Sequence, residues 1–156
     1  MTGNDTELAE KRTDDQVPDR IVLESQLSEL IRVSPWIEAL ATRYAIPENV
    51  VFAMNLCLEE ALSNVIRHGH RGQGGSLTIQ LAVPHEGQFV LIVDDDAPRF
   101  NPLEQEPPPA YSPEDSTQIG GQGIRLIRGF SDSLEYSATP TGNQLRIGFS
   151  SQISPK

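Results

Sequence analysis

Val51, Met54, Leu58, Leu62 and Val65 recur at steps of three and four, and this stripe constrains the chain more than any other feature. Such spacing lines up on one side of an α-helix and demands an apolar layer to lie against. Pro47 opens this helix, which is expected to run to about Arg67. The covering layer is legible just downstream. Leu77, Ile79, Leu81 and Val83 alternate as a half-buried strand, and Phe89–Val93 is a nearly continuous apolar run, as in a more central strand. Pro84–Gly87 supplies the turn between them.

Ile21, Leu23 and Leu27 alternate weakly as a first strand. A helix is expected over Pro35–Tyr44, with Ser34 as its N-cap, Pro35 as its first residue and Trp36, Ile37, Leu40 and Tyr44 on its buried face. Gly120–Gly123 leads into a third helix carrying Ile124, Leu126, Ile127 and Phe130. Leu134–Ser137 and Gln144–Phe149 read as a closing hairpin around Pro140–Asn143. The order β, α, α, β, β, loop, α, β, β implies one sheet with helices on one face, an α+β two-layer sandwich. Residues 1–18 are polar and without apolar periodicity, and read as a disordered tail before a domain over 19–152.

Composition excludes several function classes. A formal net charge of -10 argues against a general nucleic-acid binder, which relies on clustered Lys and Arg. The single cysteine, Cys57, allows no internal disulfide framework. No apolar run approaches the roughly 20 residues of a membrane-spanning helix, and the N-terminus has no signal-peptide core. A cytoplasmic location is expected, without membrane or nucleic-acid partners.

Three constellations could carry chemistry. Glu60 and Asn64 stand one turn apart on a helix face nearly opposite the apolar stripe. They read either as an ordinary solvated face or as a hard-ligand site, because magnesium takes few protein oxygens and leaves the rest to phosphates and water. His68 continues the same spacing, where a histidine also complements the helix dipole. Asp94, Asp95 and Asp96 directly follow a buried strand, and read either as a charged turn or as a source of one carboxylate that accepts an exocyclic amine. Gly120, Gly121 and Gly123 precede a helix start and let backbone approach an anion, but they match neither a Walker loop nor a Rossmann turn.

Taken in order, these segments resemble the GHKL ATPase superfamily, and most closely its anti-sigma-factor serine kinases. Leu58–Gly69 resembles the N-box, Asp95–Pro102 the first glycine box, Gly121–Ile127 the second, and Gly142–Leu145 the closing turn. The resemblance spans about residues 20–150. It departs at Ala97, where the superfamily usually has Gly, and at Pro107–Pro109 in the lid region. It implies the histidine-kinase-like sandwich with a mixed sheet. It also implies ATP and magnesium as cofactors, with Asn64 on the metal and Glu60 as general base toward a protein hydroxyl. Asp95 would take the adenine amine, and Gly121 and Gly123 would line the triphosphate. The full nucleotide-contacting set that the resemblance implies is Asn64, His68, Asp95, Ala97, Phe100, Gly121, Gly123 and Ile124. The expected activity is that of a serine-protein kinase and anti-sigma regulator whose partner is a small anti-anti-sigma protein of the STAS type, with a sigma factor as a further partner. The runner-up is a nucleotide-gated binding module without phosphotransfer. Neither the phosphoacceptor helices of a full sensor kinase nor a transducer region is expected in this sequence. A homodimer is also expected, with the first helix and Trp36 as a contact surface.

Overall fold

The stripe on the long helix finds its cover in an antiparallel sheet. The computed structural model describes residues 19–104 and 122–151. The tail over 1–18, Gly121 and Pro107–Pro109 lie outside the described residues. The elements are β1 (Arg20–Glu24), a 3-10 turn (Leu27–Arg32), α1 (Val33–Tyr44), α2 (Glu48–Asn64), a π turn (Val65–Gly69), β2 (Ser76–His85), β3 (Gln88–Asp95), α3 (Gln122–Phe130), β4 (Ser133–Thr139) and β5 (Gly142–Ser150). Their order is the one the periodicities imply.

The five strands lie in the order β1-β2-β3-β5-β4. Every pairing is antiparallel, so the expected mixed sheet is corrected to an antiparallel one. Local connectivity sets two of the four pairings, and pairing across the helices sets the other two. β2–β3 and β4–β5 are hairpins, and β1 pairs back onto β2 after the two long helices. The alternation holds on each inner strand. Leu77, Ile79 and Leu81 of β2, Phe89, Leu91 and Val93 of β3, and Leu145, Ile147 and Phe149 of β5 are all buried. They meet Met54, Leu58, Leu62 and Ile127 from the helices in one hydrophobic core.

Helix starts differ in detail. α1 begins at Val33 because the 3-10 turn runs straight into it, so Ser34 and Pro35 lie inside the helix and Ser34 caps nothing. Pro47 is the N-cap of α2 rather than its first residue; its extended ψ of 151° turns the chain into the helix. Trp36 is only 5% exposed and packs in the core, which removes it as a contact surface. The most exposed large apolar side chains are instead Ile31 and Phe52, beside α1 and on α2. No helix among the described residues is long and apolar enough to cross a membrane.

Candidate nucleotide site

Strand pleating distributes the three aspartates. Successive β3 residues alternate between the helix layer and the open face, so with Val93 buried inward, Asp95 also turns inward and Asp94 outward. Asp94 accepts from Gln144 Nε2 at 3.0 Å. Asp96 leaves the strand and turns to His70, whose Nε2 is 2.6 Å from Asp96 Oδ1, and to the Ser76 N–H at 2.9 Å. The Ser76 N–H, and after it the His70 contact, hold the Asp96 carboxyl below its ordinary range.

Asp95 lies at the end of a small pocket shared with Asn64 of α2, Phe100, Ile124 of α3, Tyr136 and Asn143. Its Oδ1 accepts from Asn143 Nδ2 and from the Ala97 N–H, both at 2.9 Å. Among the described residues no hydrogen bond falls on Oδ2, which leaves one carboxylate oxygen for a further donor. Burial pushes the Asp95 carboxyl above its ordinary value, against the pull of Asn143 and the Ala97 N–H. The unfolded chain ionises at this position more readily than the native one, so the native carboxylate costs stability once ionised. That cost is absent below the ordinary aspartate value of 3.8 and grows as pH rises from there through the raised native value. Asp95→Asn keeps an acceptor for Asn143 and Ala97. It is expected to raise the melting temperature at pH 7, and the gain should vanish as pH falls below that ordinary value. Thermal melts across a pH series check this.

The N-box residues face the same region. Asn64 ends α2 and is half-buried in the pocket wall. Glu60, one turn earlier, places its carboxylate against the first turn of α3: a Cβ on Gly123 would stand 2.8 Å from Glu60 Oε2. The start of a helix offers unpaired N–H groups, a favourable neighbour for an anion. Cys57, the only thiol nearby, is fully buried, and burial followed by the Glu60 charge pushes it up to about 12. It therefore stays protonated and offers no nucleophile.

The expected set is thus partly brought together. Asn64, Asp95, Phe100 and Ile124 line one pocket, and Gly123 sits beside Glu60. His68 instead lines a separate open cleft with Arg71, Arg99 and Phe100. Ala97 is buried against Gly69, where an added Cβ would approach its own Cβ to 3.2 Å.

Two residues that the sequence did not single out organise the site. Asn143 is 5% exposed. Its Oδ1 accepts from the Phe100 N–H at 2.8 Å and from the Tyr136 hydroxyl, while Nδ2 faces Asp95 Oδ1 and the carbonyls of Ala97 and Pro98. His70, delivered inward by the π turn after α2, is buried between Ser25 and Asp96. A Gly-Asn turn and a histidine after a helix are ordinary sequence features, and only contacts across the fold give them these roles.

The donor set suits magnesium nucleotide chemistry. Among the described residues no cluster of three or more His, Cys, Asp or Glu could hold a metal by itself. An amide oxygen and a neighbouring carboxylate are the sparse hard donors that leave magnesium mostly to phosphate and water.

The histidine kinase-like ATPase domain family matches residues 23–149, and the chain belongs to this family. Its relatives include the serine/threonine-protein kinase BtrW of Bordetella bronchiseptica, 30% identical over 113 residues, which are 72% of this chain and 79% of that protein. The anti-sigma F factor of Halalkalibacterium halodurans is 25% identical over 83 residues, which are 53% of this chain and 57% of that protein. The chain therefore spans little more than half the length of that anti-sigma relative. The blue-light activated histidine kinase EL346 of Erythrobacter litoralis shares the fold, with a TM-score of 0.52 at 19% identity over 79% of this chain and 41% of that one.

Proposed function

We propose that this chain binds magnesium ATP and transfers its terminal phosphoryl group to a serine of a small anti-anti-sigma protein of the STAS type, acting in the cytoplasm as a partner-switching anti-sigma kinase. The observation that carries the reading is the convergence of Asn64, from the end of α2, and Asp95, from the end of β3, on one pocket beside Glu60. Family membership and similarity to proteins named as a serine/threonine kinase and an anti-sigma factor support it.

In this reading Asp95 Oδ2 would accept the adenine amine, and Asn64 would supply an oxygen to magnesium. Bound magnesium would offset the charge of the phosphates. Glu60 takes the proton of the serine hydroxyl as the serine oxygen forms its bond to the terminal phosphorus and ADP leaves. The pocket encloses about 20 Å³, far below the ~300 Å³ of a typical ligand site. Nucleotide entry therefore requires the lining of the pocket to open.

Asn64→Ala is expected to weaken magnesium-dependent ATP binding about tenfold or more, equivalent to roughly 1.4 kcal/mol. Calorimetry with and without magnesium checks it, and unchanged affinity removes Asn64 from the site. Incubation with γ-labelled ATP and serine-bearing STAS proteins tests the transfer. A protein that binds ATP and its partner yet transfers nothing would make the nucleotide-gated binder the better reading.

A further inference from the structure

His70 sits where four backbone segments meet. Its Nδ1 is 2.7 Å from Ser25 Oγ, just past β1, and its Nε2 is 2.6 Å from Asp96 Oδ1, just past β3. The same Asp96 oxygen accepts the Ser76 N–H at the start of β2, and the Ser25 N–H donates to the Gly75 carbonyl at 2.9 Å. Gly75 makes the approach feasible. Its φ of 154° lies in the region that favours glycine, and an added Cβ would collide with the imidazole. Both hydrogen bonds of the ring are thus used, one to a hydroxyl and one to a carboxylate, with the side chain almost wholly buried.

The position of this knot gives it a consequence beyond stability. His70 closes the turn that follows α2, the helix that ends on Asn64. Asp96 is the immediate neighbour of Asp95. The His70–Asp96 bond therefore joins the segment carrying the proposed metal ligand to the segment carrying the proposed adenine acceptor. Close packing of Gly69 on Ala97 alone allows sliding, because van der Waals contact is weakly directional. A short hydrogen bond to a carboxylate fixes the register more strongly.

We infer that His70 is a positioning residue for the nucleotide: through Asp96 it holds Asp95 at the spacing from Asn64 that one ATP molecule must span. This rests on the reading of the pocket as an ATP site. His70→Phe keeps the ring and removes both hydrogen bonds. His70→Gln keeps an amide that can donate to Asp96 from about the position of Nε2.

The test is ATP affinity by calorimetry on the full chain, at a temperature where thermal melts show every variant folded. His70→Phe is expected to raise Kd about tenfold, and His70→Gln to stay within about threefold of the parent. In an Asp95→Asn background the His70→Phe step should shrink to less than about twofold, because the effect travels through Asp95. A purely structural role would lower both melting temperatures and leave the two steps additive. If His70→Phe does not fold, Asp96→Asn weakens the same bond with little change of shape and should reproduce its effect. Parent-like affinity in the folded variants, or additivity with Asp95→Asn, overturns the inference while leaving the ATP site intact. Absence of ATP binding by the parent protein overturns both.

Discussion

Replacing Glu60 with glutamine is expected to slow phosphoryl transfer to the partner serine by about 10²–10⁴, the usual loss when a general base is removed. ATP affinity should change little, because the substitution leaves Asn64, Asp95 and Asn143 in place. In the proposed reading Glu60 is the base, and its position among the described residues supports that choice. Glu60 stands one turn before Asn64 on α2, half-buried, with Oε2 against the first turn of α3 at Gly123. Asp95 holds Asn143 and the Ala97 N–H on Oδ1 and keeps only Oδ2 for the nucleotide in this reading, Asp96 Oδ1 is taken by His70 and Ser76, and Cys57 is a buried, protonated thiol. Glutamine preserves the length and shape of the side chain and can still hydrogen-bond, but it cannot take a proton. Single-turnover transfer of labelled phosphate, measured beside calorimetric ATP binding, separates chemistry from binding. Transfer at the parent rate by the Gln variant would remove Glu60 from the mechanism. A loss of ATP affinity matching the loss of rate would make Glu60 a binding group instead.

What the sequence revealed and what it hid divide along the range of the interactions. The Val51–Val65 stripe and the β2 alternation are local periodicities, and each element formed where its pattern stands. The boundaries that shifted did so for tertiary reasons. The 3-10 turn Leu27–Arg32 feeds α1 directly and leaves Ser34 no cap to make, while α2 widens into a π turn that carries His70 inward. The two hairpins were legible, but the directions of β1 on β2 and of β3 on β5 were not, because they depend on which segments pair across the chain. Asp95 could be singled out among three aspartates by resemblance, and the inward turn set by the pleat adds a physical reason. His70 and Asn143 were invisible as organisers of the site. Their partners lie at Ser25, Asp96, Asp95 and Phe100, far away in the chain, and no periodicity marks a polar residue that will be buried by distant segments.

Asn143→Ala should be the most damaging single change in the pocket. Asn143 is buried at the start of β5, opposite Asp95 in the β3–β5 register. Its side-chain oxygen takes the Phe100 N–H and the Tyr136 hydroxyl, and its amide nitrogen serves Asp95 and the turn carbonyls of Ala97 and Pro98. Alanine removes all of these and leaves several groups without partners, each costing about 1–3 kcal/mol where water cannot reach. Relaxation and entering water offset part of this, so a net destabilisation of about 2–4 kcal/mol is expected. The neighbouring Gly142 offers the second substitution. A Cβ there would run into the Asp95 backbone carbonyl, so Gly142→Ala should push β5 from β3 at the same point. Both changes act on the Asp95 end of the pocket and leave the α2 side chains Glu60 and Asn64 untouched. ATP affinity should therefore fall in each, even at temperatures where the protein stays folded. Asn143→Asp separates shape from hydrogen-bond donation. It preserves the acceptor for Phe100 and Tyr136 but sets a second carboxylate against Asp95 in place of a donor, and like charges at that distance repel strongly. It should lose more stability at pH 8 than at pH 5, because acid neutralises part of the pair. Denaturant melts at the two pH values measure this. Equal losses at both would show that the lost donor and not charge repulsion sets the cost, and no loss at either that Asn143 acts through shape alone.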